Sequence, residues 1–181
     1  MKLEMRTLKN IAAAAMTLAV VFGAASLKPV TANAAEASVS ASIEEENSYI
    51  SFQDEAYQNE FLRRVNNERA KAGLKPVQLG DSSHNSAAQE RAEEIATVNS
   101  HVRPNGTKWY TVLSEYGVTD AAAGENAAWG NVSPEEVVNA WMNSEGHRAN
   151  ILDPEARAMG VGYYYNSSST WGHQWIQLFT K

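Results

Sequence analysis

The sequence predicts an α+β domain in which helices cover both faces of a small, mainly antiparallel sheet. Three observations carry this. Between residues 57 and 141, apolar side chains recur at helical spacing in four separate stretches. From Met159 to Phe179 the pattern changes to aromatic and β-branched runs on either side of a polar turn. The chain has no internal repeat, and the stretch from about residue 52 to 181 is long enough to hold one real core, so helices and sheet belong to one layered domain.

The first helix carries Tyr57, Phe61, Leu62 and Val65 on one face, with Arg63, Arg64, Asn67 and Glu68 elsewhere and Gly73 as its stop. Lys75 to Leu79, with Pro76 inside it, reads as a short extended link. A second helix starts after Asp81 as N-cap and aligns Ala88, Ala92 and Ile95, which places Glu90, Arg91, Glu93 and Glu94 outward. A third, short helix holds Trp109, Val112, Leu113 and Tyr116 and ends at Gly117. The fourth opens on Ser133-Pro134-Glu135-Glu136, a capping box with proline at the first helical position, followed by Val137, Val138 and Trp141. Ala127 to Trp129 is a strand candidate. The segments Met159–Tyr165 and Trp171–Phe179 form a hairpin around Asn166-Ser167-Ser168-Ser169-Thr170.

What precedes the domain reads as a targeting segment. Lys2, Arg6 and Lys9 form a basic start, Ile11 to Ala25 an apolar run, and Ala32-Asn33-Ala34 a small-x-small cleavage site. The run is shorter than the ~20 residues a bilayer-spanning helix needs, so residues 1–34 are expected to be a signal peptide rather than an anchor. Residues 35–51, acidic at Glu44-Glu45-Glu46 and poor in apolar side chains, are expected to be a flexible leader, and residues 52–181 the domain. No later segment is apolar enough to span a membrane.

Composition narrows the function. The 181 residues carry a formal charge of −6, and removing residues 1–34 takes away Lys2, Arg6, Lys9, Lys28 and Glu4, leaving −9. Without a clustered Lys/Arg surface a nucleic-acid partner is excluded, and docking on an anionic membrane is disfavoured. With no cysteine at all, disulfides, thiolate–metal sites and thiol catalysis are excluded together. A cysteine-free exported chain fits a bacterial source and a secreted, extracellular location.

Four segments stand in order: Ser100-His101-Val102-Arg103-Pro104-Asn105-Gly106, Gly124-Glu125-Asn126-Ala127-Ala128, Trp141 to Leu152 containing Ser144-Glu145-Gly146-His147, and Met159-Gly160-Val161-Gly162. Together with Val65-Asn66-Asn67-Glu68-Arg69, this series resembles the CAP superfamily (cysteine-rich secretory, antigen 5 and pathogenesis-related 1 proteins, the SCP-like domains) in its bacterial extracellular branch. The resemblance covers about Phe61 to Phe179. It implies a three-layer α-β-α sandwich, in agreement with the periodicity.

The resemblance also implies a central cleft with two histidines and two glutamates able to hold a divalent cation. Motif by motif these are His101, Glu125 and His147. The second glutamate has no clean counterpart, because Ser144 stands at the matching position and Glu145, the nearest carboxylate, is off by one. Two imidazoles and a carboxylate suit zinc and leave a position for water, so zinc is the ion the triad would take, although nothing in the sequence requires a cofactor. The separations of 24 and 22 residues show no local ligand spacing, and the residues themselves leave a structural reading open. On that reading His101 ends the second helix, Glu125 accepts backbone N–H bonds in a turn, and His147 caps the turn after Gly146. His84 and His173 read as satisfied histidines within their elements. Ser144 lies near His147 in sequence but not in a nucleophile elbow.

Three function classes follow: a secreted module binding a small apolar or cell-envelope ligand, a metal-assisted hydrolase with Glu125 or Glu145 as base, and an interaction domain for an envelope protein. The resemblance extends to sterol- or lipid-type ligands. The missing second glutamate favours a non-catalytic module over an enzyme.

Overall fold

The computed structural model describes residues 55–181, with side chains from Tyr57 onward. The expected signal peptide and acidic leader lie outside the described residues. The elements run α1 (Glu55–Lys71), β1 (Gln78–Leu79), α2 (Ser82–Ile95), α3 (Thr111–Glu115), β2 (Ala122–Trp129), α4 (Pro134–Met142), α5 (Glu145–Ile151), β3 (Ala158–Asn166) and β4 (Gly172–Thr180). The sheet order is β1-β3-β4-β2. β4 pairs antiparallel with β3 (Tyr163 opposite Trp175) and with β2 (Ala127 opposite Ile176), and β1 adds a parallel pair of residues beside Ala158 and Met159.

Local chemistry sets most boundaries as expected. Asp81 caps α2 by accepting from the Ser83 and His84 backbone N–H groups. Ser133 Oγ accepts from Glu136 N at 3.2 Å, while the Glu136 carboxylate takes the Val132 N–H at 2.9 Å, one residue earlier than in the usual reciprocal box. The expected strand at Ala127–Trp129 is longer, because β2 begins at Ala122. A fifth helix, α5, occupies the segment around His147, where the sequence shows too short an apolar period to announce it. His101 does not end α2, which stops at Ile95.

The central strand β4 divides the core. Trp175 and Phe179 face α1, α4 and α5, packing with Phe61, Val65, Val138, Trp141 and Ile151. Ile176 and Leu178 face α2 and α3, packing with Ala88, Ala92, Ile95, Val112 and Leu113. Covered on both sides, β4 is buried from Gln174 to Thr180, so it reads as a continuous run rather than an alternation.

Gly160 and Gly162 explain how close α2 lies. A Cβ at Gly160 would meet the His84 carbonyl oxygen at 2.3 Å, and one at Gly162 would meet that of Ala88 at 2.1 Å. The Met-Gly-Val-Gly motif is therefore a seat for a helix backbone, with a missing side chain at every second position of one sheet face.

Both sheet edges are closed by side chains. On β3, beyond the reach of β1, the Val161 and Tyr163 N–H groups donate to Asn85 Oδ1 (3.1 Å) and Gln89 Oε1 (3.2 Å), one helical turn apart on α2. On β2, the Glu125 and Ala127 carbonyls accept from Asn150 Nδ2 (3.1 Å) and Trp141 Nε1 (3.2 Å). These four residues protect edges that would otherwise offer free backbone groups for pairing.

Candidate functional site

The site forms where α2, the segment after it, β2 and α5 meet, and its foundation is a chain of alternating charges. Glu125 sits on β2 with its side chain only 1% exposed. Its Oε2 accepts from Arg91 Nε at 2.8 Å, and its Oε1 accepts from Arg91 Nη2 at 3.1 Å. Arg91 also donates to Glu94 and, through Nη2, to the Ser100 carbonyl at 3.1 Å. Glu94 in turn binds Arg103 Nε at 2.9 Å, and Arg103 reaches Glu115 and Thr111.

This network corrects the outward placement of Arg91 and Glu94. Arg91 is fully buried, and the Glu94 side chain is 12% exposed. The signal was present in the sequence: position 91 belongs to the ladder 84, 87, 88, 91, 92, 95 that faces the core. A charged residue type masked it. Buried charges must be paired and hydrogen-bonded, and here they are. The consequence is local: Arg91 holds the backbone just before His101, and Glu94 holds Arg103 just after it. His101 thus stands on a clamped loop, closed further by the Val102–Lys108 bridge.

His101 Nδ1 lies 2.6 Å from Glu125 Oε1, and the ring is 57% exposed. The hydrogen bond that His101 donates to Glu125 is the main reason its pKa is raised, with partial burial and Arg91 opposing. With Nδ1 committed to the carboxylate, Nε2 is the nitrogen left to face solvent. His147, half-buried on α5, is shifted the other way, first by burial and then by the charge at His101. Its ring is 6.5 Å from that of Trp141. Its carbonyl accepts from Asn126 Nδ2 at 3.2 Å, and Asn126 bonds in turn to Gln177 and Asn150.

The structure therefore brings His101 into contact with Glu125 and places His147 within electrostatic reach of His101. Glu145 is exposed as the first residue of α5, and among the described residues no hydrogen bond or ion pair ties it to the other three. The remaining histidines are held as expected: His84 Nδ1 lies 2.9 Å from Asp81, and His173 Nδ1 lies 2.8 Å from the Tyr163 hydroxyl, on a different part of the sheet.

The donor set does not fit a zinc ion bound through Glu125. Among the described residues no group of three or more His, Asp or Glu side chains stands together as a metal would need. The Glu125 charge is already matched by a guanidinium that cannot lose its proton. An ion on Glu125 would have to share the carboxylate with that guanidinium, because Arg91 donates to both of its oxygens. Two imidazoles without a third protein ligand fall short of the usual zinc site.

Helices layered on both sides of this four-stranded sheet are the architecture expected of a CAP domain. The profile of the CAP (cysteine-rich secretory protein) family matches residues 62–179, and the chain belongs to that family. It is 41% identical over 123 residues to YkwD of Bacillus subtilis (strain 168), a match covering 67% of this chain and 47% of YkwD. The chain thus spans about half the length of that relative. It is similar in structure to an extracellular SCP-domain protein of Bacillus anthracis, at a TM-score of 0.59 and 25% identity, covering 68% of this chain and 39% of the other. An outer surface protein of Borrelia burgdorferi shares the fold at a TM-score of 0.61 and 20% identity, covering 70% of this chain and 93% of the other.

Proposed function

We propose that the chain is a secreted bacterial CAP module, non-catalytic, that binds a small apolar or cell-envelope ligand or an envelope protein through the polar cleft at His101, Glu125 and His147, with Glu145 on its rim. In this reading residues 1–34 are its signal peptide, residues 35–51 an acidic leader and residues 52–181 the working domain. The carrying observation is that both Glu125 oxygens accept from Arg91 and one also meets His101. A carboxylate 1% exposed, with three of its roughly four acceptor positions already filled, is poorly placed to reach a substrate proton as a general base. The names of two relatives, an extracellular SCP-domain protein and an outer surface protein, support the location. Among the described residues, no helix is long and apolar enough to cross a membrane.

The test is sedimentation of the purified chain with isolated bacterial cell envelopes, followed by mass spectrometry of the soluble fraction. The expected result is saturable binding, weakened in His101→Ala/His147→Ala, with no envelope fragments released over time. Fragment release that stops in the double variant would make the protein a hydrolase. Binding no greater than that of an unrelated acidic protein would also refute the proposal.

A further inference from the structure

We propose that Arg91 is the resident cation of this cleft, holding Glu125 where a divalent ion would otherwise sit, so that removing the guanidinium opens a metal site that the native chain lacks. The inference concerns the same cleft as the binding proposal and rests on that reading only in taking this cleft as the working site. Its test reads metal and not envelope binding, so either can fail alone.

The geometry carries the argument. Arg91 meets Glu125 through two nitrogens, Nε at 2.8 Å and Nη2 at 3.1 Å, the paired fork that suits a carboxylate. It has no freedom to leave. Its Nη1 donates to Glu94, its Nη2 also serves the Ser100 carbonyl, and its side chain is 0% exposed. Glu94 is itself tied to Arg103. Swinging Arg91 out would take two donors from Glu125, one from Glu94 and one from the Ser100 carbonyl. The carboxylate therefore meets a fixed positive charge on its α2 side and His101 Nδ1 on the other. An ion approaching His101 and His147 from solvent finds the Glu125 carboxylate already shared between a guanidinium and an imidazole.

The arrangement also gives Glu125 a role independent of metal. Matched by Arg91, it remains an acceptor for His101 Nδ1, which fixes the orientation of that ring. Such carboxylate–imidazole contacts orient the ring whether its far nitrogen meets a metal, a water or a ligand hydroxyl. Arg91 is thus a positioning residue acting through Glu125 and the Ser100 carbonyl.

The experiment is calorimetric zinc titration of the purified chain near neutral pH, in wild type, Arg91→Lys, Arg91→Met and Arg91→Met/Glu125→Gln. Wild type and Arg91→Lys, which keeps the charge, are expected to bind zinc weakly or not at all. Arg91→Met is expected to gain about tenfold or more in affinity, and the gain should vanish when Glu125→Gln is added. A folded Arg91→Met with wild-type zinc affinity would overturn the proposal. Because Arg91→Met removes a buried ion partner and can fail to fold, wild type is also followed by nitrogen-15 NMR during the titration. The Arg91 Nε–H resonance is expected to hold its position to the end of the titration. Its displacement on stoichiometric zinc, with loss of the bonded-guanidinium signature, would show that metal displaces Arg91 from Glu125 and would equally refute the proposal.

Discussion

Replacing Gly162 by alanine tests the reading of the Met-Gly-Val-Gly motif as a helix seat. The added Cβ would lie 2.1 Å from the Ala88 carbonyl oxygen, 2.2 Å from its carbon and 2.6 Å from Gln89 N. All three are backbone atoms in the middle of α2, so no rotamer change relieves the contact, and ordinary separation requires the helix to move by more than about 1 Å. Overpacking of this kind costs about 1–3 kcal/mol, and a rigid backbone obstacle places Gly162→Ala at the upper end. For a domain of this size about 3 kcal/mol corresponds to a melting temperature lower by roughly 10 °C. The displacement also reaches the site, because Arg91 is the next turn of α2 after Ala88. Thermal melts by circular dichroism provide the assay, with Gly146→Ala as control. Gly146 lies in the first turn of α5 with nothing within 4 Å of a Cβ, and alanine there is expected to be neutral or better by up to about 1 kcal/mol. A Gly162→Ala protein melting at or above wild type would refute the close-approach argument.

Two further predictions follow from the site and the sheet edge. His101, with its pKa raised by Glu125, stabilises the fold fully below its unfolded value of about 6.5 and loses that contribution as pH rises through the folded value, whereas His147, with its pKa lowered by burial, stabilises above about 6.5 and loses its contribution as pH falls. Urea unfolding of His101→Ala should therefore trail wild type most in acid and converge with it in base, by no more than about 1 kcal/mol because the ring is largely exposed, and His147→Ala should show the opposite slope; parallel stability curves would contradict the assignment. Trp141→Phe removes the 3.2 Å donor to the Ala127 carbonyl at the closed β2 edge and should cost about 1–3 kcal/mol in urea unfolding, a loss under about 0.5 kcal/mol showing that the edge is satisfied some other way.

Much of the fold was legible because it is written in local chemistry. The Asp81 cap, the Ser133 start with Pro134, the turns at Gly73 and Gly117, and the aromatic hairpin around Asn166–Thr170 each act over a few residues, and each stands where the sequence placed it. The length of β2 was not legible. Its first half, Ala122 to Asn126, mixes small and polar residues, and it is strand because β4 lies beside it, with Gln177 there to meet Asn126. α5 was hidden for a similar reason: of its seven residues, Ile151 is the one fully buried.

The candidate site divides in the same way. The residue types and the order of the motifs, by themselves, determined the family, the three-layer architecture and the names His101, Glu125 and His147. Only the tertiary structure decided what those residues have as partners. A helical wheel places position 91 on the core face, but the burial of an arginine there depends on a carboxylate 34 residues further along the chain meeting it across two layers. Local periodicity records which side of an element is covered, because burial of apolar surface repeats with the helix or strand. It does not record which charge compensates which, since a Coulomb pair is a property of distance in the folded state and leaves no period in the sequence.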